Sequence, residues 1–210
     1  MNVTTSKNLG GAGALLLFIS VFPFVGTYFI IPLIGLILIL IGAKGLADNY
    51  QEDGIFNNAL YGVILSIIGI VAFAAVFVYA IVGFFTELGL ANFGIADFTS
   101  FATTITTMDP NVVFNAFLNH VGYILIAALV LFIFIVVAAV FYRKSMVLTA
   151  KKTGVGLFGT AGLILLIGAV LTIILFGLLL MWISLLLIAI AFFQIRTQPT
   201  QTATPPQQTM

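Results

Sequence analysis

The stretch NLGGAGALLLFISVFPFVGTYFIIPLIGLILILIGA, residues 8–43, carries no acidic or basic side chain, and its reading decides the kind of fold. As one straight helix it would be roughly 54 Å long. The hydrocarbon core of a bilayer is about 30 Å thick and takes about 20 helical residues. Pro23, Gly26 and Pro32 sit near the middle of the stretch. Proline removes a helical hydrogen bond and its ring clashes with the preceding turn, so the stretch reads as a hairpin. The predicted legs are about 7–22 and 32–47, with a turn at about 23–31. Pro32 then falls in the first turn of the second leg, where it is tolerated. Both legs are short for a crossing, so the alternatives are a full and a re-entrant hairpin. Either form returns the chain to the side it left.

Three further uncharged runs follow, at 54–86, 110–142 and 153–195. The first predicts one crossing at about 57–85, with Ile55-Phe56-Asn57-Asn58 lying along the interface before it. The second predicts a crossing at about 112–142, opened by Asp109 as N-cap and Pro110 as first helical residue. The third would be roughly 65 Å long as one helix, so it too must fold back. Its break falls at Thr172–Phe176 and Gly177, giving legs of about 154–173 and 176–195. The chain is 62% hydrophobic and 6% charged. A soluble domain carries about 25% charged residues and must face water over much of its surface. The runs are continuous rather than alternating, which selects helices over a barrel. The expected fold is therefore an all-α integral membrane protein. It is a bundle of about six transmembrane helices, two hairpins and two single spans, over residues 1–196. A polar tail of Gln, Thr and Pro, 197–210, has little to bury and is expected to be disordered.

Orientation follows from charge. Lys7, Lys44, Arg143, Lys144, Lys151, Lys152 and Arg196 all fall on one side of this arrangement, with Asp48, Glu52 and Asp53. Glu87, Asp97 and Asp109 fall on the other with no basic residue. The positive-inside rule makes the first side cytoplasmic, with both termini there in a multi-pass cell-membrane protein. No small-x-small cleavage site follows Leu15–Ser20, which argues against a signal peptide. Asn2-Val3-Thr4 fits the glycosylation pattern but lies on the cytoplasmic side. The segment 87–109 is the one substantial outer loop. On a helical wheel Ile95, Phe98, Phe101, Ile105 and Met108 share one face and Thr99, Ser100, Thr103, Thr106 and Thr107 the other. That is the pattern of a helix in the interface or of an irregular lid of the same amphipathicity.

Chemistry is sparse. A Ser–His–Asp arrangement would have to use the one histidine, His120, which reads as an interfacial polar residue on the side of its helix away from the asparagines. One His and no Cys cannot build a zinc site from nitrogen and sulfur, and no nucleotide-binding fingerprint is present. No cofactor is expected, and the protein reads as no enzyme. A net charge of +1 gives no reason for a nucleic-acid partner. No acidic residue lies inside a proposed span, and Lys7 and Lys44 stand at the cytoplasmic ends of theirs, which argues against carboxylate-coupled ion transport. Asn111, Asn115 and Asn119, spaced i, i+4, i+8 and continued by Gly122, form a polar stripe suited to a polar ligand or a helix contact; the bland alternative is that they face water above the core. Arg143, Lys144, Lys151 and Lys152, read as the loop between the fourth and fifth helices, are candidate contacts for anionic lipid, or serve topology alone. Gly10-x-x-x-Ala14 and Gly156-x-x-x-Thr160 are small-xxx-small pairs that let helices approach closely. Together these features suggest a non-enzymatic membrane component working by packing and assembly, as a homo-oligomer or with a membrane-protein partner, among membrane lipids. The alternative is a permease or channel for a small neutral or apolar solute.

Two segments carry a resemblance. Ser6-Lys7-Asn8-Leu9-Gly10-Gly11 with Gly13-Ala14-Leu15-Leu16 is the first. The second is Leu40-Ile41-Gly42-Ala43-Lys44-Gly45-Leu46-Ala47-Asp48 with Ile55-Phe56-Asn57-Asn58-Ala59-Leu60. They resemble a family of small, mostly archaeal integral membrane proteins known only as a domain of unknown function. The resemblance covers mainly the first third of the chain. It implies a prokaryotic cell membrane, and no activity or catalytic residue.

Overall fold

The computed structural model describes residues 1–21, 30–90 and 98–196, with side chains of 98–102 outside the description. The turn 23–31 therefore lies almost wholly outside the described residues, as do Ile95 and the tail 197–210. The elements are α1 (Val3–Ser20), α2 (Ile30–Tyr50), α3 (Asp53–Glu87), α4 (Phe98–Thr107), α5 (Pro110–Thr153), α6 (Leu157–Leu171), a 3₁₀ turn (Thr172–Ile174) and α7 (Phe176–Gln194). No strand occurs among the described residues. Five helices are long and apolar enough to cross a membrane: α2, α3, α5, α6 with its 3₁₀ turn, and α7. The fold is that of an all-α membrane protein. Of the six predicted legs, α1 is the one outside this set, because Thr4, Thr5, Ser6, Lys7 and Asn8 dilute its first two turns. The long spans bury little of themselves: 11% of the apolar window of α3 and 17% of that of α5 lie inside the fold. Such faces need lipid around them.

Two predictions about element boundaries need correction. Ile55-Phe56-Asn57-Asn58 is not a separate stretch ahead of the helix, since α3 already begins at Asp53. Ile55 is 1% exposed and packs with Ala43, Ala47 and Ala59. The segment 143–152 is not a loop, because α5 runs unbroken to Thr153. The residues from Arg143 to Lys152 include no Gly or Pro, and the helix ends only at Gly154, whose φ of +73° suits glycine. Pro32 lies in the first turn of α2, the second break is the 3₁₀ turn with Leu175, and Asp109 Oδ1 accepts from Asn111 N at 2.8 Å as the cap of α5.

The chain divides into two compact units. The first comprises Met1–Ala59, Arg143–Ile164 and Trp182–Met210. Here α1 and α2 run antiparallel along a glycine seam. A methyl group at Gly42 would lie 2.7 Å from Gly10 Cα, and one at Gly35 would lie 2.8 Å from Gly13 O. Gly10 and Gly11 also accommodate the rings of Phe192 and Phe193, so the predicted closeness at Gly10 and Ala14 is present. Gly156 and Thr160 form no such contact: both are exposed, and Gly156 has open space where a side chain would stand. Asn2 caps α1 by accepting from Thr5 N at 2.7 Å. Lys7 Nζ donates to Ile195 O at 3.0 Å, a cation placed at the negative end of α7. Ser184 Oγ donates to Ala161 O and Ser145 Oγ to Ile55 O, at 2.8 and 2.6 Å, so buried hydroxyls tie the helices together.

The second unit comprises Leu60–Tyr142 and Leu165–Met181. Here α3 and α5 run antiparallel, and three glycines of α3 each receive a ring from α5. Tyr142 covers Gly62, Phe134 covers Gly69 and His120 covers Gly83. At the end of α3, Leu88, Leu90 and Ala116 form a small core with Phe84, Phe85, Val113, Ile105 and Met108. The amphipathic segment predicted in the outer loop is thus helical at α4, with Ile105 and Met108 turned into this core. Thr103, Thr106 and Thr107 are exposed, and the last two spend their hydroxyls on backbone carbonyls of their own helix. The predicted companions Phe98 and Phe101 lie outside the described side chains.

Candidate functional site

The densest polar group in the second unit surrounds Glu87, the last residue of α3. The Schellman-type turn that ends this helix, with Gly89 at φ +70°, leaves the carboxylate facing α5. Asn119 Nδ2 donates to Glu87 Oε1 at 2.8 Å. His120 Nδ1 lies 3.4 Å from Glu87 Oε2 and 2.9 Å from Ala116 O. A backbone carbonyl only accepts, so Nδ1 carries a hydrogen, and Nε2 stands over Gly83. His120 is therefore not on the side away from the asparagines. Successive helical residues are about 100° apart, and one carboxylate spans both Asn119 and His120. One turn further along, Tyr123 lies 5.6 Å from Tyr79, edge to face.

The asparagine stripe does not act as a unit. Asn111 Nδ2 donates to Asp109 Oδ1 at 3.1 Å, within the cap of its own helix. Asn115 is exposed, and Asn119 alone reaches another helix. The helix contact is present for the third alone. Chemically the cluster holds one carboxylate between two donors. The hydroxyl of neighbouring Thr86 is turned away, donating to Val82 O at 2.7 Å. Among the described residues no three His, Cys, Asp or Glu side chains come together as metal ligands would. A cavity of about 450 Å³ lies close by, walled by Phe84, Ile105, Met108, Val113, Phe114 and Phe117.

The basic residues occupy the last three turns of α5. Arg143, Lys144, Lys151 and Lys152 are all exposed, while Ser145 and Thr149 between them are buried. Lys152 Nζ lies 3.2 Å from Glu52 Oε2, so the four charges do not stand without acidic company. Spacing along the sequence gave no hint of that pair, since Glu52 precedes α3 by one residue and Lys152 is a hundred positions away.

The family model of a protein of unknown function (DUF996) matches residues 31–192. Of the two segments that carry the resemblance, only the second falls inside this match, which extends far beyond the first third of the chain. The uncharacterized protein MJ1644 of Methanocaldococcus jannaschii is 26% identical over 197 residues, covering 93% of this chain and 94% of that protein. No solved structure matches the chain.

Proposed function

The chain belongs to the DUF996 family, and on that premise we propose that it is a non-enzymatic, multi-pass component of the cell membrane that works by close helix packing with a second copy or another membrane protein. Both termini are cytoplasmic in this reading, which rests on the segregation of Lys and Arg. The observation that carries the packing role is how the glycines are used. Gly13, Gly35 and Gly42 admit backbone to backbone, and Gly62, Gly69 and Gly83 admit rings. Among the described residues one helical glycine is left open: Gly122 on α5, exposed, with nothing described within 4 Å of where a Cβ would stand. Small residues at an uncovered helix face are where membrane helices associate. Asn115 and Asn119 precede it on the same side and supply polar partners across a helix contact.

The test uses Gly122→Leu. A Cβ at this position meets no described atom within 4 Å, so the fold is expected to persist while an association through this face is lost. Crosslinking of Asn115→Cys in native-like membranes, a residue introduced into a chain that has no cysteine, is expected to give a crosslinked product. Gly122→Leu in that background is expected to abolish it. A chain that stays monomeric in both forms, with no partner recovered at Asn115, would sink the reading. The permease alternative, for a small neutral or apolar solute, would use the cavity beside the polar cluster, which is walled by Phe, Ile, Met, Val, Pro and Thr.

A further inference from the structure

The turn between α6 and α7 is built from Thr172, Ile173, Ile174, Leu175 and Phe176. The last four are 73, 63, 74 and 56% exposed, which no loop facing water would combine. The break itself is minimal. Leu175, at φ +61°, is the single residue between the 3₁₀ turn and α7, and its N–H donates to Thr172 O at 2.9 Å. Leu178 N donates to Leu175 O at 3.2 Å, and the Thr172 hydroxyl donates to Gly168 O at 2.9 Å. Gly177 and Gly168 touch backbone to backbone, which closes the turn without polar residues. Short 3₁₀ adjustments and threonine hydroxyls that re-satisfy freed backbone groups are what hydrocarbon tolerates, where an open loop is not.

The same unit carries a depth scale. Tyrosine rings collect at membrane–water interfaces. Tyr61 and Tyr142 stand at one end of the α3–α5 pair, Tyr79 and Tyr123 at the other. The separations of 18 residues on α3 and 19 on α5 correspond to roughly 27 and 28 Å, close to the hydrocarbon thickness of about 30 Å. Thr172 and Ile173 share a cleft of about 560 Å³ with Phe73, Leu125, Leu129, Phe132 and Ile135. Phe73 is six residues from Tyr79 and twelve from Tyr61, so the turn stands roughly 9 Å inside the nearer tyrosine level and 18 Å inside the farther.

We infer that the α6–α7 hairpin ends inside the hydrocarbon, short of the Tyr79–Tyr123 level, and that lipid chains cover its tip and fill the cleft beside it. The occupant is lipid because the exposed tip is continuous with the lipid-facing surface of α5, where Leu125 and Leu129 are 64 and 57% exposed. It is hydrocarbon rather than headgroup because the cleft walls bear no charge and its one hydroxyl, on Thr172, is already bonded.

Nitroxide spin labels on single-cysteine variants in vesicles test this directly. Labels at Ile174→Cys and at Leu129→Cys are expected to collide with dissolved oxygen several-fold more often, relative to a water-soluble nickel chelate, than a label at Tyr79→Cys. Nickel access at Ile174 equal to or above that at Tyr79 would place the tip in water and overturn the inference. Low access to both agents would mean that protein covers the tip, and overturns it equally. Nickel access at Leu129 alone would make the cleft aqueous and remove the lipid from it. Ile173→Cys repeats the reading at a neighbouring exposed position should Ile174→Cys fold poorly.

Discussion

Gln51 and Gly89 hold the same place in the same kind of turn. After α2, Glu52 N donates to Ala47 O at 3.0 Å across Gln51 at φ +51°; after α3, Leu90 N donates to Phe85 O at 2.8 Å across Gly89 at φ +70°. Only glycine takes that conformation freely, and an L side chain there costs about 1–2 kcal/mol. Gln51→Gly returns part of this, less the greater freedom of glycine in the unfolded chain, so a gain of about 0.5–1 kcal/mol is expected. A lower midpoint of thermal unfolding in detergent would contradict the turn assignment. Gly177→Ala goes the other way. Its methyl group would meet Gly168 O and the backbone of Leu171 and Thr172, none of which can move without opening the turn. A loss of about 1–3 kcal/mol is expected, as for overpacking generally, read by the same unfolding experiment. Pro32, Asp109-Pro110 and the 172–176 break were legible because proline, a capping carboxylate and an over-long run each act locally. The αL role of Gln51 was not, since it follows from where two helices must turn rather than from glutamine.

The helices show why faces were harder to read than boundaries. In water a buried face is apolar and an exposed face polar, so periodicity reports packing. In lipid both faces are apolar, and α3 gives no such contrast: Gly62, Gly69 and Gly83 lie in one uniformly hydrophobic run. Their spacing of seven and fourteen was the remaining signal, because glycine marks where another helix comes close. Leucine at Gly69 would displace the Phe134 side chain, whose Cβ already lies 2.6 Å and whose ring begins 3.1 Å from where a first side-chain carbon would stand. Gly69→Leu is expected to destabilise by about 1–3 kcal/mol, against a near-neutral change for Ile70→Leu, 58% exposed on the same helix. Equal effects would mean that α3 and α5 do not meet at this glycine. The continuous α5 also sharpens the lipid proposal. Lys151→Gln should reduce co-purified acidic lipid, since each basic residue at the surface is worth about 1 kcal/mol at low salt. Lys152→Gln removes the same charge and also frees the Glu52 carboxylate, now 3.2 Å from its cation, so it should reduce lipid retention at least as much.

At the scale of the molecule, class and membrane character were plain from four uncharged runs, whereas the Glu87–Asn119–His120 contact was not. It joins helices whose register depends on the ring-into-glycine fits between them, and no local pattern encodes that. Orientation remains an expected outcome with a direct check. A membrane-impermeant thiol reagent added outside should label Thr107→Cys and not Lys151→Cys; both positions are exposed, unlike Ser145, which is only 6% accessible and would report burial instead. External labelling at Lys151 would reverse the topology. Trp182, the single tryptophan of the chain, stacks on Phe18 at 4.7 Å and donates its indole N–H to Phe18 O at 3.0 Å, both within the first unit. Its emission is therefore an optical signal private to that half of the chain, whereas the six tyrosines divide between the halves, Tyr28 and Tyr50 falling in the first and Tyr61, Tyr79, Tyr123 and Tyr142 in the second. Denaturation of a Tyr28→Phe/Tyr50→Phe variant followed in both channels at once then tells whether the two halves melt as one cooperative body or in sequence.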